Sequence, residues 1–249
     1  MTEQTAAAPP RPPSRVQEII WGLVATALLA GYIGWNMGWT VALAAVVGVF
    51  VHEYGHVLAM NAMGFGPGKI RIVPFVGGVA IPARPADTEF KGVLIALAGP
   101  VFGLLALAPF FIAFALTGQE RWLSGAFFIA AISLLNLAPA PPLDGSKALG
   151  PALARIHPWV ERGALILVGG TVVLWAVTRG SLIFGLFVGL GVLGALRRGR
   201  LRPAARRLNG PEWAGAVALY LAALAVCAVA VGFTLDPAVL GAVRRLLRL

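Results

Sequence analysis

Three histidines occur in this 249-residue chain, and two of them stand four residues apart in His52-Glu53-Tyr54-Gly55-His56. On an α-helix, positions i and i+4 lie on one face, so two imidazoles at this spacing converge on a single metal ion. Glu53, next to His52, is placed to take a proton from a water that such a metal activates. With so few histidines available, a chance match is improbable, on the order of one in a thousand from composition. The structural alternative makes His52 and His56 hydrogen-bonding partners of neighbouring helices and Glu53 a neutral packing residue.

A catalytic tetrahedral centre with two histidines needs a third protein ligand and one open position. His157 precedes Pro158 between Arg155 and Arg162 and reads as a surface loop residue. The acidic residues offer a better choice. Of the ten Asp and Glu residues, eight fall in the tail, in loops or at the edges of apolar blocks. Only Glu53 and Asp144 are tied to apolar blocks, and Asp144 ends the stretch Leu134-Leu135-Asn136-Leu137-Ala138-Pro139-Ala140-Pro141-Pro142-Leu143-Asp144. A helix cannot run through Pro139, Pro141 and Pro142, so irregular backbone, shielded by protein, must carry this carboxylate inward. Asp144 is the expected third ligand. The alternative is a cap on a helix that starts after Gly145.

The elements that position these residues are set by hydrophobicity. The chain is 59% hydrophobic and only 12% charged, and a soluble domain of this length carries about twice that charged fraction. Apolar blocks at roughly 17–36, 40–62, 92–117, 123–138, 163–178, 181–196 and 213–233 predict about six to seven transmembrane helices. The last pair before the basic loop is short enough to form a tight or re-entrant hairpin. His52 lies roughly 18 Å from the outer end of the second span at about 1.5 Å per residue, where a charged glutamate is costly unless paired or functional.

The formal charge of +10 is a topology signal. Placing the N-terminus in the cytoplasm puts fifteen of the twenty Lys and Arg residues inside, including Arg197, Arg198, Arg200, Arg202, Arg206 and Arg207. The arginines at 244, 245 and 248 fit this orientation less well, unless the tail lies in the interface. Affinity for anionic lipid fits the basic surplus. Nucleic-acid binding does not, because no basic-aromatic surface motif accompanies it. Trp35, Trp39 and Trp122 fall at outer span ends and read as interfacial anchors. The single Cys227 excludes an internal disulfide.

His52-Glu53-x-x-His56 followed by Asn136-x-x-Pro139-x-Pro141-x-Leu143-Asp144-Gly145 resembles the site-2 protease family of intramembrane zinc metalloproteases. The resemblance covers roughly residues 40–150 and includes Ala98-Gly99-Pro100, although an asparagine often found shortly after that turn is missing here. It implies one zinc per chain held by His52, His56 and Asp144, Glu53 as general base, and Asn136 near the substrate or oxyanion. Between the second and third spans, Lys69–Pro82 alternates Ile, Arg, Ile and Val before Gly77 and Gly78, which suggests short β-strands around a turn. In the family such a segment pairs with extended substrate, which would place Gly77, Gly78 and Val79 at the substrate. The alternative is a connecting hairpin with no substrate role.

These readings combine into an all-α polytopic membrane protein with a small cytoplasmic β-hairpin. Residues 1–16 form a flexible cytoplasmic tail, 17–162 the catalytic core with the hairpin loop at 64–91, and 163–249 a C-terminal transmembrane region with the basic loop 197–207. The expected activity is zinc-dependent cleavage of single-span membrane proteins within the lipid bilayer, in the plasma membrane. Two rivals remain: an inactive relative that serves as a scaffold, and a metal or proton transporter.

Overall fold

The computed structural model describes residues 15–73, 77–197 and 205–236. In chain order they form α1 (Arg15–Met37), α2 (Trp39–Ala62), β1 (Lys69–Val73), β2 (Gly77–Ile81), α3 (Glu89–Gly103), α4 (Leu107–Thr117) and α5 (Arg121–Asn136). Then follow α6 (Asp144–Ile156), α7 (Pro158–Thr178), α8 (Leu182–Arg197) and α9 (Gly210–Leu235). The tail as far as residue 14, the hairpin turn 74–76, most of the basic loop (198–204) and the segment 237–249 lie outside the described residues. The expectations for the flexible tail and the arginine-rich terminus fall there.

Helices dominate because lipid offers no partner for backbone groups, so each apolar segment must satisfy its own. By length and composition, Ile19–Met37, Trp39–Ala62, Glu89–Thr117, Pro158–Thr178 and Gly210–Leu235 can cross a membrane, and Arg121–Asn136 and Phe184–Arg197 are shorter apolar helices. These coincide with the seven apolar blocks of the sequence. The third span is broken by a 3-10 turn at Leu104–Ala106. Pro109 accounts for it: its ring lacks the N–H that would bond Leu105 and clashes with that carbonyl. The reading of spans alone did not separate α6, which begins where the proline-rich stretch ends.

Apolar burial does not drive helix association in lipid, so small residues that permit close approach do much of the work. On α2, Ala44, Ala45, Gly48 and Gly55 are buried, as are Gly125, Ala126 and Ala130 on α5. A Cβ on Gly55 would stand 2.6 Å from Phe102 Cβ and 2.8 Å from Ala98 O, so α2 and α3 meet in backbone contact. A single residue, Gly38 at φ +98, turns the chain from α1 into α2. The outward faces carry large exposed apolar side chains such as Trp21, Leu167, Leu186 and Val229, as lipid contact requires.

The two strands pair antiparallel, with Arg71 opposite Val79 and Ile70 opposite Ala80. The C-terminal helix is tied back to the core. Before it, Arg206 bridges Thr88 in parallel, and Leu208 N donates to Glu89 Oε2 at 3.1 Å while Arg155 donates to Leu208 O. Within the bundle, Tyr220, Ala223 and Cys227 of α9 join a buried cluster with Val93, Leu97, Leu137 and Ala148.

Candidate metal centre

Because α2 runs without interruption, it sets His52 Nε2 and His56 Nε2 3.2 Å apart. Asp144, the first residue of α6, brings Oδ2 to 3.0 Å from His52 Nε2 and 3.1 Å from His56 Nε2. All three side chains are buried. Ligand atoms about 2.0–2.1 Å from a tetrahedral zinc stand ~3.3 Å from one another, so these three distances are close to those of one face of such a tetrahedron. The donor chemistry agrees. His56 Nδ1 faces the carbonyl of Ile95 at 2.7 Å, and a carbonyl only accepts, so Nδ1 carries a proton and the neutral imidazole has its lone pair on Nε2. That lone pair points at a carboxylate oxygen and a second imidazole. A bound cation resolves the convergence, and the residues fit zinc.

Asp144 divides its two oxygens. Oδ1 lies 3.2 Å from Lys147 Nζ, one helical turn on, which leaves Oδ2 for the two histidines. Space for the imidazoles comes from α3, where a Cβ at Gly99 would overlap His56 Nε2 and come within 2.8 Å of His52 Nε2. The Ala98-Gly99-Pro100 stretch is therefore part of the centre.

Irregular backbone delivers Asp144, and membrane depth demands partners for its polar groups, several of which are seen. Leu137 O, left open at the end of α5, accepts from Tyr220 Oη of α9 at 2.7 Å. Gly145 folds against the same residue, since a Cβ there would overlap Leu137 O. Leu143 O accepts from both Ser146 Oγ at 2.7 Å and Ser146 N at 3.1 Å, closing the turn into α6. Ala140 and Leu143 are buried with Val188 of α8, and Gly191 meets the Pro141–Pro142 backbone.

Glu53 is buried beside the cluster, and its Oε2 accepts from Ala80 N of β2 at 2.7 Å. An N–H cannot point two ways, so the Ala80 edge of β2 faces α2 and the other edge faces β1. A Cβ at Gly78 would lie 2.6 Å from Glu53 Cγ. The hairpin thus rests directly on Glu53. Of the residues assigned to substrate, Gly78 packs against this carboxylate, Val79 is exposed opposite Arg71, and Gly77 pairs with Val73.

Asn136 lies at the end of α5, and its Nδ2 donates to Ile132 O at 3.1 Å within its own helix. His157 caps α7, accepting from Trp159 N at 3.3 Å, and is exposed. Four contributors were not foreseen as parts of the site: the Ile95 carbonyl, the Ala80 N–H, Lys147 and Tyr220. Only Lys147 had a signal, its i+3 spacing from Asp144.

The sequence profile of the Peptidase M50B-like family matches residues 19–143. A Synechocystis protein named as a zinc metalloprotease is 30% identical over 147 residues, covering 55% of this chain and 38% of the relative. Rip3 of Mycobacterium tuberculosis, also named as a zinc metalloprotease, is 27% identical over 187 residues, covering 69% of this chain and 44% of the relative. The chain therefore spans less than half the length of either. The solved structure of the site-2 protease from Methanocaldococcus jannaschii shares the fold, with a TM-score of 0.51 at 19% identity over 76% of this chain and 93% of that one. Taken with the two motifs, the membrane helices and the convergence of His52, His56 and Asp144, these similarities establish that the chain is an integral membrane protein of the Peptidase M50B-like, or site-2 protease, family.

Proposed function

We propose that this protein is an intramembrane zinc endopeptidase that cleaves transmembrane segments of membrane proteins, in the manner of regulated intramembrane proteolysis. The observation that carries this reading is the meeting of three buried ligand atoms within 3.2 Å of one another, with a buried carboxylate, Glu53, from the same helix. His52, His56 and Asp144 would hold one zinc per chain, and zinc supplies an activated water and polarises the scissile carbonyl. Glu53 takes a proton from the attacking water and returns it to the leaving amine. Ala80 N–H holds Oε2 of that carboxylate, so Oε1 carries the proton. Asn136 stabilises the oxyanion once its amide leaves Ile132 O.

The β2 edge that carries Ala80 supports the substrate reading. A transmembrane helix must unwind before a peptide bond is accessible, and an extended substrate paired with the edge groups that Glu53 does not occupy would lie beside this carboxylate. Single-span membrane proteins are the proposed substrates, reached within the bilayer of the cell membrane with the N-terminus cytoplasmic. The transporter reading requires ionisable groups along several spans, whereas Glu89 and Glu161, the other buried carboxylates among the described residues, stand in the first turns of their helices. The scaffold reading leaves Glu53 beside a complete ligand set without a purpose.

Protein purified in detergent should contain about one zinc per chain by elemental analysis. It should cut members of a panel of single-span membrane peptides, lose that activity to a chelator and regain it with zinc. Full zinc occupancy with no cleavage of any peptide would favour the scaffold.

A further inference from the structure

The two histidines differ in what their second nitrogen meets. A metal-ligating imidazole donates its other ring N–H to a carboxylate, a carbonyl or a water, and this partner sets the tautomer. His56 has Ile95 O in that place. His52 is as deeply buried, at 5% exposure, yet its Nδ1 has no hydrogen-bond partner among the described residues. Beside it lies a cavity between α2 and α5, with room for about one water. Gly48, Ile129 and other apolar residues form most of its wall, and the only polar side chains that line it belong to His52 and Ser133.

Ser133 is itself 2% exposed. Serine and threonine hydroxyls in apolar helices commonly bond back to the carbonyl four residues earlier. Thr26, Thr117 and Thr171 do so here. Ser133 makes no such bond among the described residues. Its Oγ and His52 Nδ1 instead lie beside the same glycine: a Cβ at Gly103 would be 3.0 Å from the first and 3.7 Å from the second.

We infer that Ser133 is a positioning residue for the metal centre, holding His52 through one ordered water in this cavity. The water accepts from His52 Nδ1–H and donates to Ser133 Oγ, which meets the two-partner minimum for a buried water. The His52 Nε2 lone pair is thereby fixed toward Asp144 Oδ2 and His56 Nε2. One histidine is oriented by a backbone carbonyl and the other by a side chain through solvent. This role rests on the proposed zinc site.

The test compares wild type, Ser133→Ala and Ser133→Thr as full chains, stripped of metal in detergent. Zinc affinity is measured by chelator competition, and ligand geometry by the visible absorption of the cobalt-substituted protein. Failure of the wild type to bind zinc would overturn the metal reading itself, independently of Ser133. With wild-type binding established, Ser133→Ala should bind zinc about ten-fold more weakly, with an altered cobalt spectrum. Ser133→Thr, which keeps the hydroxyl, should restore both. Wild-type affinity and spectrum in Ser133→Ala would overturn the inference, and so would equal losses in the two variants.

Discussion

His52 and His56 reach the centre from one uninterrupted helix, whereas Asp144 reaches it from the end of a proline-broken stretch held by α5, α8 and α9. The 3.2 Å separation of the histidine nitrogens follows from helical geometry once α3 leaves room for the rings. The 3.0 and 3.1 Å approaches of Asp144 follow from a fold of the loop on itself, Gly145 on Leu137, and from contacts far apart in sequence: Tyr220 on Leu137, and Gly191 on Pro141 and Pro142. The difference teaches that half of the centre is local and half is tertiary. Changes at Tyr220 of α9 should therefore reach the metal first through the loop that carries Asp144.

The largest effect should come from the shared wall of the local half. Gly99→Ala adds one methyl where the imidazoles sit, and should weaken zinc binding more than about 100-fold, beyond the range of outer-shell changes. Alanine is otherwise the better helix former by about 1 kcal/mol, and Gly92→Ala, with open space around it on the same helix, should leave zinc unchanged. Chelator competition on the pair separates a filled site from a weakened helix. Normal affinity in Gly99→Ala would mean that the two helices can part without cost.

Gly78→Ala acts on the base instead of the ligands. The added methyl displaces Glu53, and a misplacement of about 1 Å lowers cleavage roughly 100-fold. Zinc content should stay at the wild-type level, which elemental analysis of the same preparation checks. Loss of both zinc and cleavage would show that the hairpin supports the whole centre.

Tyr220→Phe is the mildest change and bears on the tertiary half. It removes one buried hydrogen bond to Leu137 O, and such bonds average about 0.6 kcal/mol in a membrane protein. Zinc affinity should fall by several-fold, with thermal stability slightly lowered. An unchanged affinity would mean that the loop holds Asp144 without help from α9.

The local half was readable in advance because helix periodicity links His52 to His56, and because a glutamate in an apolar span calls for a reason. Asp144 was reachable by a different route: three prolines forbid a helix, and few other acidic residues are tied to apolar blocks. The partners that orient these groups were not readable. Ile95 O and Ala80 N–H are backbone atoms whose side chains carry no trace of the role, and Tyr220 stands 83 residues from Leu137. Gly99 is named by the resemblance through Ala98-Gly99-Pro100, but its contact with the histidines depends on how α3 crosses α2. The strand pairing of Lys69–Val73 with Gly77–Ile81 followed the alternation of side chains, yet nothing in that alternation told which edge faces Glu53.

The central claim is that this cluster holds a metal and that Glu53 works beside it as a base. Glu53→Gln preserves the shape of the side chain and its acceptor for Ala80 N–H while removing the basic oxygen pair. Zinc content and cleavage of a single-span membrane peptide, measured on the same purified variant, test the claim most directly. The expected result is one zinc per chain, as in the wild type, with cleavage abolished and the uncut peptide retained. Near-normal turnover in Glu53→Gln would contradict the assignment of Glu53 as the base.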